Sequence, residues 1–205
     1  DARRVAEKLG IPFHVVDFRE KFTREVIEYF ADSYVQGRTP NPCIVCNSRI
    51  KFTALACRAE SLKADYFATG HYARRGYDPA TGRFTLHQGK DRQKDQSYVL
   101  LGLSQQQLAK AIFPLGEYTK KEVRAIARAK QIPIADKPES REICFIPEND
   151  YGCFLQKNRP EAWQPGDIVD TGGRVLGRHK GVAFYTIGQR RGLGIGGGTP
   201  YYVVA

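Results

Sequence analysis

The residues in this chain best placed to do chemistry are thiols. Within GRTPNPCIVCNSRIKF (residues 37–52), Cys43 and Cys46 stand in a C-x-x-C spacing at the head of an amphipathic pattern, and SREICFIPENDYGCF carries Cys144 and Cys153. Three chemistries fit such a set. A structural zinc site needs tetrahedral thiolate or imidazole ligands, often as two C-x-x-C knuckles; only one knuckle is present, and Cys144 and Cys153 are too widely spaced to make the second. A redox dithiol needs C-x-x-C at a strand-to-helix turn, where the helix dipole lowers a thiol pKa; this leaves the basic charge of the chain unexplained. In the third, a cysteine at a helix start is a nucleophile and a distant cysteine its partner, so that the two share sulfur-transfer or disulfide-exchange chemistry. Cys46, with Arg49 and Lys51 close in sequence, is then the thiolate-prone member, and Cys144, preceded by Arg141, its partner in a loop. Cys57, in the helical pattern ALACRAE, reads as a small buried hydrophobe.

The elements that must position these thiols follow from apolar spacing. DARRVAEKLG puts Ala2, Val5, Ala6 and Leu9 on one helical face and stops at Gly10, after which IPFHVVDF reads as a strand. A second helix is marked by Thr23, Val26, Ile27, Phe30 and Tyr34 and stops near Gly37; a third runs from about Asn47 through Ile50, Leu55, Ala59 and Leu62. DYFATGHYA returns as a strand ending in a Gly-His turn. This alternation predicts a doubly wound α/β layer, in which ligands bind beyond the carboxyl ends of strands, the position of Gly70 and His71. From Arg74 the pattern becomes a hairpin with YDPATGRF as its turn. Helical signals with capping boxes at Ser104–Gln107 and Thr119–Glu122 come next, the second leading into Val123, Ile126 and Ala127. From QPGDIVD onward, short alternating strands and glycine turns imply a small β-barrel-like domain. The boundaries fall near Arg74 and near Trp163.

Composition limits the function. With 205 residues, 41% of them hydrophobic, the chain can bury one sizeable core. No window approaches the roughly 20 apolar residues that span a bilayer, and no signal peptide opens the sequence, which points to a soluble protein. Five cysteines are an odd and sparse set, which favours a reducing compartment, the cytoplasm. The net charge of +10 calls for a polyanionic partner, nucleic acid before membrane. Residues 151–205 carry seven Lys/Arg against three Asp/Glu, most of the bases in glycine-rich sequence. Starting at Asp1, lacking Met and ending on YYVVA, the sequence reads as a fragment cut through folded structure at both ends.

Five strings, GRTPNPCIVCNSRIKF, ATGHYAR, KDQSYVL, SREICFIPENDYGCFL and YTIGQRRGLGIGG, occur in this order over most of the chain. Together they resemble the tRNA-specific 2-thiouridylases, the MnmA/TrmU family. The resemblance implies that residues 1–73 are the C-terminal part of a doubly wound ATP-pyrophosphatase-like domain. Residues 74–162 would be a hairpin and mostly helical central tRNA-binding region, and 163–205 the start of a C-terminal β-barrel. It further implies ATP-dependent installation of sulfur at C2 of the wobble uridine of tRNA, with Mg2+ expected beside ATP, and a sulfur-carrier or persulfide-donor protein as partner; no structural metal is expected, because one C-x-x-C knuckle is only half a tetrahedral site. The family's ATP-binding loop, S-G-G-x-D-S after the first strand, is not in the sequence and is expected upstream of Asp1. The intact protein, not this piece, would then be the enzyme.

Carried over residue by residue, the resemblance makes Cys46 the nucleophile and Cys144 the bearer of a persulfide. ATP would adenylate the C2 oxygen, the persulfide would supply sulfur, and Cys46 would attack it, closing a transient Cys46–Cys144 disulfide that an external reductant reopens. Asn41, Pro42 and Cys43 match the segment that touches the target base. Many family members carry Asp at the Cys43 position, and a thiol does not substitute for a carboxylate in proton transfer, so Cys43 is assigned to base contact alone. Gly70 matches the nucleotide-binding glycine, where the missing side chain lets backbone approach the adenosine. His71 matches a position near the tRNA, and Lys94, Asp95 and Gln96 match a tRNA-contacting triplet, Lys suited to phosphate and Gln to a base edge or sugar. Arg190 and Arg191, flanked by glycines in GQRRGLG, form a loop able to approach phosphates closely. Two other readings stand beside this one: a non-catalytic RNA-binding module, carried by charge alone, and a thiol oxidoreductase.

Overall fold

The chain folds from short elements whose ends are set by local chemistry. The structure, a computed structural model, describes residues 1–138, 143–146, 150–196 and 200–205; Arg141, expected beside Cys144, lies outside the described residues. The first helix is Ala2–Leu9, and Gly10 ends it in the left-handed conformation (φ 64°), its N–H donating to the carbonyls of Ala6 and Glu7. The next stretch departs from expectation. Residues 11–18 form no strand, and Ile11 and Val15 are 54% and 75% exposed. A strand exists only where a neighbour takes up its N–H and C=O groups, and among the described residues nothing pairs with this run.

Helical turns follow at Arg19–Phe22, Thr23–Ile27 and Glu28–Val35, the middle one of the wide π type. The thiol-bearing helix starts at Pro42 rather than Asn47: Pro42–Val45 is α-helical, Cys46–Leu55 is wound as π, and Ala56–Ser61 is α-helical again. Proline suits the first helical position because its missing N–H would have no intrahelical partner there. The buried residues of the π stretch are Asn47, Ile50 and Phe52. Cys57 is not on that face and is exposed, which corrects the expectation of a buried hydrophobe.

Six strands are described. β1 (Phe67–Ala68) and β4 (Ala111–Ile112) pair in parallel, while β2 (Ala73–Asp78) and β3 (Arg83–Gln88) form the expected antiparallel hairpin. Both expected capping boxes are formed, Ser104 with Gln107 at the head of Gln105–Lys110 and Thr119 with Glu122 at the head of Lys120–Ala129. β5 (Gly166–Val169) and β6 (Val175–His179) are antiparallel with an irregularity at Ile168/Val169. The parallel β1–β4 pair is the part of an α/β layer that the described residues contain.

Two compact units divide the chain: Asp1–Phe22 with Cys43–Ser140, and Thr23–Pro42 with Arg141–Ala205. The core of the first is Phe52, Ala73, Val99, Leu100, Ala111 and Phe113. It is tight enough that a Cβ on Gly116 would fall 1.9 Å from the Ala73 carbonyl oxygen. The second is centred on the fully buried Phe30, whose ring meets those of Tyr34, Phe145 and Phe154 edge-on at 5.0, 5.4 and 5.9 Å. Ala31, Leu155, Ala162 and Ala183 fill in beside it.

Candidate functional site

In the first unit, candidate residues gather at the carboxyl end of β1 and along the helix that packs beneath it. The Thr69 N–H donates to the Ile112 carbonyl at 3.0 Å, extending the parallel ladder by one residue before the chain turns out through Gly70. Gly70 is exposed, and a Cβ placed on it would touch only the Leu115 side chain at 3.7 Å. Its backbone therefore stands at a strand terminus, where a side chain would meet only ordinary contact.

His71 turns the other way. It is 7% exposed, its ring tilted 35° to that of Phe52 at 6.3 Å and edge-on to Phe113, with Nδ1 2.7 Å from the Thr69 hydroxyl. Burial, helped by the positive charge of Lys51, pulls its pKa from 6.5 down to about 4, so the imidazole is neutral at physiological pH. Thr69 belongs to the same ATGHY string, but its role as the partner of His71 was not read from the sequence.

The triplet 94–96 closes a basic loop onto this strand end. Burial acts to raise the Asp95 pKa, but hydrogen bonds accepted from the Gly89 N–H (2.9 Å) and the Ser97 hydroxyl (2.8 Å) outweigh it and lower the value. Gln96 clasps Tyr72 twice: its Oε1 accepts from the Tyr72 N–H at 3.1 Å, and its own N–H donates to the Tyr72 carbonyl at 3.0 Å. Two members of the triplet are thus tied to backbone. Asp91 adds a third brace by accepting from the Lys120 N–H at 2.9 Å, and Lys90 pairs with Glu122 at 2.9 Å.

On the thiol helix, Cys43 is exposed and Cys46 half-buried, at the junction of the α and π windings. Asn47 beside it is buried, and its Nδ2 donates to the Val99 carbonyl at 3.2 Å. The Ser48 hydroxyl returns to the carbonyls of Ile44 and Val45, and Gln107 Nε2 donates to the Phe52 carbonyl at 2.9 Å. Cys46 is therefore carried on a turn held at several points, and Asn47 is a supporting residue that thiol spacing did not reveal.

The second unit holds Asn41, exposed and just ahead of that helix, and Pro42, buried at its first position. It also holds Cys144, exposed on a turn closed by the Ile146 N–H donating to the Ile143 carbonyl at 3.0 Å. The turn is anchored by its neighbours, because Phe145 packs into the aromatic cluster of Phe30 and Phe154 and Ile146 is 4% exposed. Arg190 and Arg191 are exposed in a loop described below. Cys46 belongs to the first unit and Cys144 to the second. Among the described residues, no three His, Cys, Asp or Glu side chains gather closely enough to hold a metal, and no helix is long and apolar enough to cross a membrane.

Comparison with known proteins bears on this arrangement. Residues 1–148 match the family described as tRNA methyl transferase HUP domain, and residues 152–205 match the tRNA methyl transferase PRC-barrel domain. The chain is 58% identical over 204 residues to the tRNA-specific 2-thiouridylase MnmA of Carboxydothermus hydrogenoformans, covering 100% of this chain and 56% of that protein. The MnmA proteins of Moorella thermoacetica (57% over 205 residues; 100% of this chain, 57% of that protein) and Natranaerobius thermophilus (56% over 204 residues; 100% and 55%) are similar to the same degree. The chain spans about half the length of these curated relatives. A HUP domain followed by a PRC-barrel domain, with more than half of the residues shared with MnmA proteins from end to end of this sequence, means that the chain belongs to the MnmA/TrmU family.

Proposed function

We propose that the chain carries the thiols and much of the RNA-facing surface of a cytoplasmic, ATP-dependent tRNA 2-thiouridine synthase. The observation that carries this reading is the 58% identity, along the whole chain, to a protein named tRNA-specific 2-thiouridylase. Residues 1–73 belong in this reading to the ATP-pyrophosphatase-like domain, 74–162 to a central tRNA-binding region and 163–205 to the start of the barrel.

The C2 oxygen of the wobble uridine would take the adenylyl group of ATP with release of pyrophosphate, Mg2+ balancing the phosphate charge, and so become a leaving group; the exposed backbone at Gly70 would lie against the adenosine. A sulfur-carrier protein loads Cys144 with a sulfane sulfur. The Cys46 thiolate attacks Cys144 Sγ, so the S–S bond of the persulfide breaks, a Cys46–Cys144 disulfide forms, and the terminal sulfur leaves as the nucleophile that takes C2. The activated oxygen departs with AMP. A dithiol reductant returns both cysteines to thiols. Asn41, Pro42 and Cys43 meet the target base, and Lys94, Arg190 and Arg191 meet phosphates. Asp95 and Gln96 hold the loop on which Lys94 sits, and His71 serves near the tRNA as a neutral residue rather than a cation.

The description of the matched family, tRNA methyl transferase, favours a second reading, methyl transfer. One experiment separates the two. Full-length protein, ATP, a persulfide donor and unmodified tRNA are incubated, and the digested nucleosides are weighed by mass spectrometry. Thiolation exchanges oxygen for sulfur, methylation adds a methyl group, and the masses differ. Cys46→Ser and Cys144→Ser should each abolish thiouridine while changing tRNA affinity by no more than a few fold; ordinary activity in either variant sinks the sulfur relay.

A further inference from the structure

The described arginines of the second unit divide into two groups. Arg24, Arg159, Arg174 and Arg178 each lie within 4 Å of a carboxylate, on Glu25, Asp32, Asp170 and Asp167 respectively. Arg38, Arg190 and Arg191 make no ion pair among the described residues, and all three are exposed. These three are distant in sequence, yet they flank one contact: the Thr39 hydroxyl donates to the Thr186 hydroxyl at 2.9 Å, across 147 residues. Arg38 directly precedes Thr39. On the other side, the Gln189 N–H donates to the Thr186 carbonyl at 2.9 Å, so the chain doubles back and delivers Arg190 and Arg191 beside the same bond. Chain geometry bounds the Cα separation of Arg38 and Arg190 at roughly 20 Å.

The loop is held before any ligand arrives. Gln189 spends its whole side chain within it, Oε1 accepting from the Thr186 N–H at 3.0 Å and Nε2 donating to the Arg191 carbonyl at 2.9 Å. The Gly188 N–H donates to the Val203 carbonyl at 2.8 Å, and the Val203 N–H to the Gln189 carbonyl at 3.0 Å. Gly188 (φ 84°) and Gly192 (φ 75°) take the backbone through conformations that a side chain would oppose. Guanidiniums on a braced support lose little freedom on meeting phosphate, and the planar fork suits phosphate oxygens.

We propose that Arg38, Arg190 and Arg191 form one phosphate-binding surface for the RNA backbone beside the target nucleotide. Thr39, Thr186 and Gln189 are its positioning residues. This rests on RNA being the partner, as in the preceding reading. Asn41 lies two residues beyond Thr39, so the surface adjoins the segment assigned to the base. It also gives the Arg-Thr pair in GRTPNPC a role independent of the thiols.

The test is binding of unmodified tRNA by the full-length protein, titrated with salt in the absence of ATP and sulfur donor. Each lost phosphate contact reduces the slope of log K against log[salt] by about 0.7 to 0.9. Arg38→Ala should lower it by one such step and the triple alanine variant by about two to three, while the triple lysine variant keeps most of the slope. Gln189→Ala should lower it although it removes no charge. Thr39→Val and Thr186→Val should each weaken binding, with no further loss when combined and no effect once the three arginines are alanine. An unchanged slope in the triple alanine variant overturns the proposal. So does normal tRNA binding with failure to take sulfur from the donor protein, which would assign the arginines to a protein partner. Thiolation plays no part in this readout, so a protein that makes no thiouridine yet shows the altered slopes would defeat the sulfur relay and leave the surface standing.

Discussion

His71 gives a pH dependence whose sign and size follow from its surroundings. The imidazole lies between Phe52 and Phe113 with Lys51 near, and its pKa falls to about 4. Between that value and the ordinary 6.5, the unfolded chain holds the proton and the folded chain does not. Stability is therefore full above pH 6.5, is lost as pH falls towards 4, and changes no further below that. At about 1.4 kcal/mol per tenfold, the gap sets an upper bound near 3 kcal/mol; residual solvent access brings the expected loss between pH 7 and pH 4.5 to about 1.5 to 2 kcal/mol. The direct assay is an NMR titration of the four histidine rings, with the signal absent from His71→Asn identified as His71. Its midpoint should fall near 4, and urea melts of the wild type should lose the stated stability where those of the variant do not. A midpoint near 6.5 would refute the reasoning, because it would mean water reaches the ring.

Three further outcomes are expected. Gly116→Ala should destabilise the first unit by about 3 kcal/mol or prevent its folding, because the new Cβ would sit 1.9 Å from the Ala73 oxygen; urea denaturation measures it. Phe30→Ala should cost about 3 to 5 kcal/mol and should raise the rate at which a bulky thiol reagent labels Cys144, since it removes a ring against which Phe145 packs. Thr119→Ala should cost about 1 kcal/mol through loss of the cap, read as faster amide exchange in the first turn of Lys120–Ala129.

What could be read from the sequence was whatever is decided within a few residues. Gly10 stops its helix, Ser104 and Thr119 cap theirs, and the turn between Tyr77 and Phe84 makes a hairpin, because donor and acceptor in each case are near neighbours. The failures are non-local. The run at 11–18 has the composition of a strand, but a ladder needs a second strand, and composition is silent on that. The apolar pattern ALACRAE puts Cys57 inside, whereas its side of the helix is decided by what packs against Phe52. The thiols and Gly70 could be picked out by type and motif. The neutrality of His71 could not, because it depends on Phe113, and the Thr39–Thr186 contact joins strings at opposite ends of the chain.

The triplet at 94–96 bears on how a mutational scan of this surface would be interpreted. If the proposed function holds, alanine at each of its three positions would lower activity, and a scan scored on activity would label all three as RNA contacts. The causes differ: Lys94 carries charge, Asp95 closes the turn on Gly89 and Ser97, and Gln96 clamps Tyr72. Asp95→Asn would retain an acceptor for the Gly89 N–H, and it removes a negative charge from a surface proposed to meet phosphate. That substitution could strengthen RNA binding while the alanine variant weakens it, a reversal of sign that a true contact residue would not show.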